Sequence, residues 1–395
     1  MTTPTADVVV IGAGIVGAAC AHALAGAGLR VAVVDRGGVA GGTTSAGEGN
    51  ILVSDKAPGP ELALALRSAA RWRAIADELG ADALEYEAKG GVVVARQEAT
   101  FRALGELVAA QRAAGVTVEA VDAAGMTVLE PNLTRDVAGG AWYPQDAQVQ
   151  PMLAAAALLL RARAAGASTY LGAAVTGIDR DAAGEVTGVR TDAAEVPVIG
   201  APFVINAAGT WAGEVGALAG APIPVLPRRG FILVTEPLPR VVRHKVYTAE
   251  YVANVASSDA DLQTSVVIEG TRGGTVLIGA SRERVGFDRS MSLRVVRRLA
   301  AQAVGLFPFL ADVTLLRTYL GFRPYCPDHL PIIGEDPRVP GLIHACGHEG
   351  AGIGLAAVTA ELLTQQLTGR TPDLDLAPFR PDRFGDAMLA SRVPA

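Results

Sequence analysis

The chain has 395 residues, half of them hydrophobic but only 5% aromatic, with 34 Lys+Arg against 40 Asp+Glu and a net charge of −6. An acidic balance without a basic stripe excludes a nucleic-acid partner on charge grounds. Three cysteines (Cys20, Cys326, Cys346) with no C-x-x-C spacing exclude a disulfide framework and a thiolate metal centre, so no metal is expected. The apolar start, residues 8–27, lacks the basic flank of an export signal. No uninterrupted apolar run approaches the ~20 residues that cross a bilayer; residues 152–160 run into Arg161 and Arg163. The expectation is a soluble, cytoplasmic protein.

In chain order, a first β-run over 7–11 enters Gly12-Ala-Gly14-Ile-Val-Gly17, and a second, over 30–35, closes on Asp35. Each part has a task in holding a dinucleotide. Gly12 permits the tight turn, Gly14 lets backbone N–H groups approach a pyrophosphate, and Gly17 lets the next helix pack against the sheet. That helix, predicted over 15–27 and stopped by Gly28, begins with Ile15 and Val16 and aims unpaired amides and a positive dipole end at the diphosphate. Asp35 stands where an acceptor for ribose hydroxyls belongs, with Arg36 beside it.

Residues 37–49 are too polar for a core element. Residues 60–79 carry a helical stripe of Leu62, Leu66, Trp72, Ile75 and Leu79. A short strand over 90–96 and a helix over 101–114 follow. Pro151 opens a helix to about residue 165, and 175–179 with 186–191 read as a hairpin around Asp181-Ala-Ala-Gly184. A buried strand over 203–206 enters Ala207-Ala208-Gly209. From 230 to 279 the pattern turns to β-runs (231–235, 265–269, 276–279), with a helix over 293–306. The last third returns to strand (341–346), glycine-rich turn (347–354) and helix (356–367, closed by Gly369), then a Pro-rich tail.

The first fingerprint by itself fits NAD or FAD. The second strand–glycine–helix unit separates them, because a helix starting near Gly352 would set its amides against the pyrimidine edge of a flavin, which gains negative charge on reduction. Five pieces together resemble the family of D-amino-acid, glycine and sarcosine oxidases, which are FAD-dependent amine oxidoreductases. They are Val10-Ile-Gly-Ala-Gly-Ile-Val-Gly17, Gly42-Thr-Thr-Ser45, Val204-Ile-Asn-Ala-Ala-Gly-Thr-Trp211, Gly321-Phe-Arg-Pro-Tyr-Cys-Pro-Asp328 with Leu330-Pro-Ile-Ile-Gly334, and Gly347-His-Glu-Gly-Ala-Gly-Ile-Gly-Leu355. They occur in the family's order across most of the chain.

The resemblance implies an α/β fold: a discontinuous Rossmann-like FAD-binding domain (1–85, 148–222, 318–375), a second β-rich (α+β) substrate domain (86–147, 223–317), and a tail over 376–395. It implies that the loop from Gly42 to Asn50, with Thr43, Thr44, Ser45, Gly47 and Gly49, wraps the flavin diphosphate and ring. Val175 would meet the adenine, and Ala207, Ala208 and Gly209 would turn against the cofactor. Gly347, Gly350, Ala351, Gly352, Ile353 and Gly354 would lie below the isoalloxazine.

Arg323 would grip the substrate carboxylate, as a planar guanidinium can with two charge-assisted bonds. That grip would orient Cα–H toward flavin N5 for hydride transfer from the neutral amine. The implied product is an imine, with no obligate protein base. Glu48 and Asn50 are candidates for the substrate amine, His348 for substrate, flavin or a turn cap, and Tyr251 or Tyr247 for pocket aromatics. His22 and Cys346 read as structural.

Three departures bear on function. Gly321 stands at the cysteine tether of some sarcosine oxidases, so FAD is expected to be non-covalent. Gly350 replaces an arginine frequent in glycine oxidase-like chains, which implies a bulkier or secondary amine. Residues 263–288 contain no lysine where sarcosine oxidases activate oxygen, which leans toward a dehydrogenase. The loop from Ser45 to Asn50 with Gly347-His-Glu-Gly most resembles catalytic subunits of opine and D-hydroxyproline dehydrogenases, which work beside electron-transfer subunits. The expected reaction is therefore oxidation of the Cα–N bond of an amino acid or N-substituted or cyclic amino acid, with O2 or an electron-transfer subunit as acceptor. The alternatives are a non-catalytic flavoprotein subunit for relay or assembly, and an NAD(P)-dependent dehydrogenase.

Overall fold

The structure is a computed structural model that describes residues 4–251 and 258–385. Val8–Ile11 is buried at all four positions, as a strand covered on both faces must be. It pairs in parallel with Val31–Asp35 on one side and Phe203–Asn206 on the other. Ser168–Leu171 extends the sheet beyond Val31–Asp35, and Leu342–Cys346 then Ile332–Glu335 extend it the other way, the last strand antiparallel. Three separate stretches of chain thus build one six-stranded sheet.

The helices Ile15–Gly26, Pro151–Ala164 and Gly352–Leu367 pack together, and Pro60–Leu79 lies against the last. Ala18, Ala19 and Ala21 are buried in the first helix, and such short side chains let it approach its neighbours closely. A three-stranded sheet of Val175–Arg180, Val186–Thr191 and Val198–Gly200 shares a separate apolar core with Val9, Val34 and Val204.

The second large sheet has eight strands. In spatial order they are Leu315–Tyr325, Leu226–Thr235, Val276–Arg282, Gln263–Gly270, Lys245–Thr248, Gly91–Ala95, Gly139–Tyr143 and Glu119–Asp122. The helix Leu293–Leu306, capped by Ser292, buries Val295, Leu299, Ala303 and Leu306 against it.

The helices over 60–79 and 293–306 and the strand over 203–206 coincide with the sequence reading. The C-terminal helix begins at Gly352, as expected of a helix aimed at the flavin, ahead of the apolar pattern over 356–367, because glycine's poor helix propensity masks its first turn. Lys245–Thr248 and Leu315–Tyr325 carry no sequence signal: the first is short and led by a charge, and the second starts with exposed edge positions. In the tail, Phe379 and Phe384 are buried; residues 386–395 of that expected segment lie outside the described residues.

Asp146 is fully buried beside the cleft-forming loop. Its Oδ1 accepts from the Val53 N–H (2.8 Å), and its Oδ2 meets the Ser54 hydroxyl, which Tyr247 also contacts. Burial outweighs these bonds and pushes the carboxyl up to about 7. A folded-state pKa raised above the unfolded value contributes stability that is complete below the unfolded pKa and is lost as pH rises through the folded one. Between pH ~4 and ~7 this one group should therefore lower stability by up to about 1.4 kcal/mol per pH unit. Asp146→Asn should flatten that part of the profile in urea unfolding; an unchanged slope would refute the assignment.

Candidate active site

A cleft of about 540 Å³ runs from the end of Val31–Asp35 to the face of the eight-stranded sheet. At its first end Gly12 has φ +114°, and a Cβ there would fall 2.4 Å from the Ala207 carbonyl oxygen. A Cβ on Gly17 would fall 1.9 Å from the Gly12 oxygen. Only glycines allow strand, turn and helix to meet this closely. No side chain caps the helix Ile15–Gly26 at Gly14, and its first turn holds no acid. The Asp35 carboxylate accepts from the Ala13 and Gly37 amides, both at 2.7 Å, and Thr44 Oγ1 accepts from the Ile15 amide at 3.0 Å. Arg36 lies 4.1 Å over the Trp211 ring.

At the other end Glu48, Asn50, Tyr251, Arg323 and His348 all line the cleft. Arg323 is half-buried and donates from Nη1 to the Ser281 carbonyl (2.8 Å). Burial, then the neighbouring Arg282, lowers its pKa. Glu48 is buried; its Oε2 accepts from Asn50 Nδ2 (3.2 Å), and burial raises its pKa despite Lys245. Glu48 Oε1 and Asn50 Oδ1 are buried acceptors with no hydrogen-bond partner among the described residues. Buried acceptors left open are rare; both residues line the cleft, though these two oxygens are themselves enclosed by protein, Glu48 Oε1 beside Gly279.

His348 is fixed otherwise. Its Nε2 meets Thr359 Oγ1 (3.0 Å), and burial lowers its pKa to about 4, leaving a neutral ring at physiological pH. Tyr247 is fully buried on Ser54, away from the cleft, so of the two tyrosines Tyr251 is the pocket aromatic.

Of the expected cofactor residues, Gly12, Gly14, Ile15, Val16, Asp35, Arg36, Thr43, Thr44, Gly47, Val175, Ala207, Ala208, Gly209, Gly350, Gly352 and Ile353 line the cleft. Gly17 and Gly49 instead let backbones touch, Gly49 against the Val149 oxygen. Gly354 sits over the Asn50 carbonyl, Gly347 beside Ile332, and Ala351 borders a small side pocket. Ser45 is exposed and bonds the Gly42 oxygen.

Sequence reasoning missed a second group. Lys245 is ion-paired with Glu269 and lies 3.7 Å from Glu48, while Glu269 accepts from the Gly49 amide (3.3 Å). A lysine does reach the loop, from the strand next to the lysine-free segment 263–288. Arg228, Arg282 and Glu349 were also missed, since each becomes informative only through its neighbours in the sheet.

Residues 7–366 match the DAO family of FAD-dependent oxidoreductases. The chain belongs to that family. It is 33% identical to the hydrogen cyanide synthase subunit HcnC of Pseudomonas aeruginosa, over 99% of each chain. It is 32% identical to the glycine oxidase of Geobacillus kaustophilus over 94% of this chain and 96% of that one. The crystal structure of Geobacillus glycine oxidase matches with a TM-score of 0.87 at 28% identity, covering 97% of this chain and 100% of that chain.

The cofactor of this family is FAD, which sets aside the nicotinamide alternative. The cleft fits it. The glycine cradle, and a helix start whose first turn carries no acid, suit a diphosphate. A second helix, Gly352–Leu367, starts at the cleft with no acid in its first turn. No described helix is long and apolar enough to cross a membrane, and no group of metal-binding side chains occurs among the described residues.

Proposed function

We propose that this protein oxidises the Cα–N bond of an amino acid or of an N-substituted or cyclic amino acid, with Arg323 as the carboxylate anchor. FAD, when bound, supplies the hydride acceptor. Supporting this reading is the placement, at one end of one cleft, of the Arg323 guanidinium with Glu48, Asn50 and Tyr251. Arg323 offers a planar donor fork to the carboxylate. Glu48 and Asn50 stand at the same end for the amine, and Tyr251 lines the wall beside them. Holding both ends of the substrate fixes Cα, so positioning carries much of the catalysis.

The Gly12–Gly17 turn, Asp35, Arg36 and Val175 would hold the ADP half. The Gly42–Asn50 loop and the 347–354 turn would frame the ring, bound without a covalent tether since Gly321 offers no thiol. Gly350 leaves space beside Arg323, where a Cβ would still fall 3.8 Å from Nε, and this space favours a substituted amine. Three buried free cysteines favour a reducing compartment. The acceptor is O2 or a partner subunit, and the relative HcnC is itself named a subunit.

The test is anaerobic titration of the yellow holoenzyme with a panel of amino acids and N-substituted amino acids. Bleaching by members of that panel is expected; no bleaching by any amine would favour a relay or assembly subunit. Peroxide yield in air against reduction of a dye then separates O2 from a protein acceptor.

A further inference from the structure

Behind the cofactor turn runs a line of buried polar groups that the chemistry at Arg323 does not use. Asn206 ends the strand Phe203–Asn206, and the segment 207–212 follows it. Asn206 Oδ1 accepts from the Ala208 amide (3.3 Å), and its Nδ2 donates to the Ala212 carbonyl (2.8 Å), so one side chain ties both ends of that segment. Ala207, Ala208, Gly209 and Trp211 line the cleft. The Ala207 carbonyl is also the group that bars a Cβ from Gly12, so the segment abuts the glycine cradle.

His344 is the register partner of Asn206 on the neighbouring parallel strand Leu342–Cys346. Asn206 Nδ2 lies 3.3 Å from His344 Nδ1, and His344 Nε2 lies 3.1 Å from Asp336 Oδ2. The Arg338 side chain donates to both oxygens of Asp336. Asn206, His344 and Asp336 are fully buried. The helix Ala212–Leu218 packs over the imidazole, where a Cβ on Gly216 would fall 3.6 Å from His344 Cε1.

The direction of each bond in this line follows from its ends. Two backbone groups fix the Asn206 amide: the Ala208 N–H needs its oxygen, and the Ala212 carbonyl needs its nitrogen. Nδ2 therefore presents a hydrogen to His344 Nδ1, which accepts with its lone pair. The ring proton then sits on Nε2 and is donated to Asp336. Burial lowers the His344 pKa against the pull of Asp336, which keeps the ring neutral. Burial opposes an ionised Asp336, but bonds from Arg338 and His344 outweigh it and hold the carboxyl below its usual range. A ring protonated on Nδ1 would instead set two donors against each other, and such a mismatch is costly in a dry interior.

We infer that His344 is a positioning residue for FAD: as the Nε2–H tautomer it links the Asp336 carboxylate to Asn206 and so holds segment 207–212 in the shape that meets the bound cofactor. This role does not depend on the substrate, so it stands or falls apart from the amine-oxidation reading.

Two readouts decide, neither of them turnover. Ring-nitrogen NMR of histidine-labelled holoenzyme should show His344, one of five histidines, as the neutral Nε2–H tautomer; its signal is the one lost in His344→Gln. Asp336→Asn, which turns a donor toward Nε2, should move the ring to the Nδ1–H form, as replacing the orienting acid of a catalytic triad does. FAD dissociation constants come from the flavin fluorescence released on diluting the holoenzyme.

His344→Phe keeps the ring's bulk without its bonds and should weaken FAD binding about tenfold, as loss of a buried hydrogen-bond partner implies. Asp336→Asn should weaken it by a similar factor. His344→Gln, whose amide can accept from Asn206 and donate to Asp336, should stay within about threefold of wild type. Should His344→Phe fail to fold, Asp336→Asn and the tautomer carry the test. An Nδ1–H or protonated His344 in the wild type would overturn the inference. Wild-type FAD affinity in both His344→Phe and Asp336→Asn, or an equal loss in His344→Gln and His344→Phe, would do the same. Wild-type flavin left unreduced by every amine, with these results intact, would remove the amine-oxidation reading alone.

Discussion

Arg323→Ala is expected to raise the apparent KM for amino-acid substrates by a factor on the order of 100, as loss of a buried charged hydrogen-bond partner of a ligand costs about 2–5 kcal/mol. FAD content should remain at the wild-type level, since the cofactor cradle is built from other residues. Stability should hold or rise slightly. Burial and Arg282 both disfavour the charged guanidinium in the native state, so removing it relieves repulsion, a frequent exchange of stability for function. Arg323→Lys should recover only part of the affinity because it cannot form the planar fork. The decisive readout is discrimination: an amine lacking the carboxylate should be affected far less than the amino acid. Unchanged affinity in Arg323→Ala would overturn the carboxylate assignment.

Lys245→Met should be the most destabilising substitution near the cleft, by about 3–5 kcal/mol. Lys245 is 1% exposed, Glu269 0% and Glu48 7%, so its loss strands two carboxylates in a low-dielectric interior. Lys89, which bonds the Gly270 carbonyl and pairs with Glu87 at 3.5 Å, offsets this only in part. Burial already raises the Glu48 pKa and Lys245 opposes that rise, so without the lysine the Glu48 contribution is lost further as pH rises through its folded value. The destabilisation should accordingly be larger at pH 8 than at pH 5, measured by urea unfolding of the holoenzyme. Lys245→Met with Glu269→Gln should recover much of the loss, because it removes the charge that burial penalises. A pH-independent deficit would point to lost packing instead.

Both substitutions concern residues whose meaning came from different sources. Arg323 stood out because it sits in Gly-Phe-Arg-Pro, in a chain whose other motifs follow the family order. Lys245 stood out nowhere: its strand is four residues long and begins with a charge, a pattern no periodicity rule selects. Its partners, Glu48 and Glu269, are far apart in sequence, and only the stacking of Lys245–Thr248 beside Gln263–Gly270 makes a buried charge cluster of them. Residues 263–288 hold no lysine, and the one that reaches the loop stands a single strand away.

The sequence by itself determined the nucleotide end. A strand, a turn of Gly12, Gly14 and Gly17, a helix and Asp35 are local in the chain, and Gly17 is required by the neighbouring Gly12 oxygen, although the Ala207 carbonyl that crowds Gly12 comes from a distant strand end. It also determined the long helices, whose apolar stripes or caps are local, and the family, through five motifs in order. Only the tertiary structure decided what surrounds the substrate. Which arginines share a face depends on strand register, and how Glu48 is paired depends on the strand that brings Lys245 to it. Burial, which turns an ordinary Lys–Glu pair into an energetic constraint, depends on every layer packed above it. Local geometry is written in neighbouring residues; charge balance in a buried site is a property of the assembled fold.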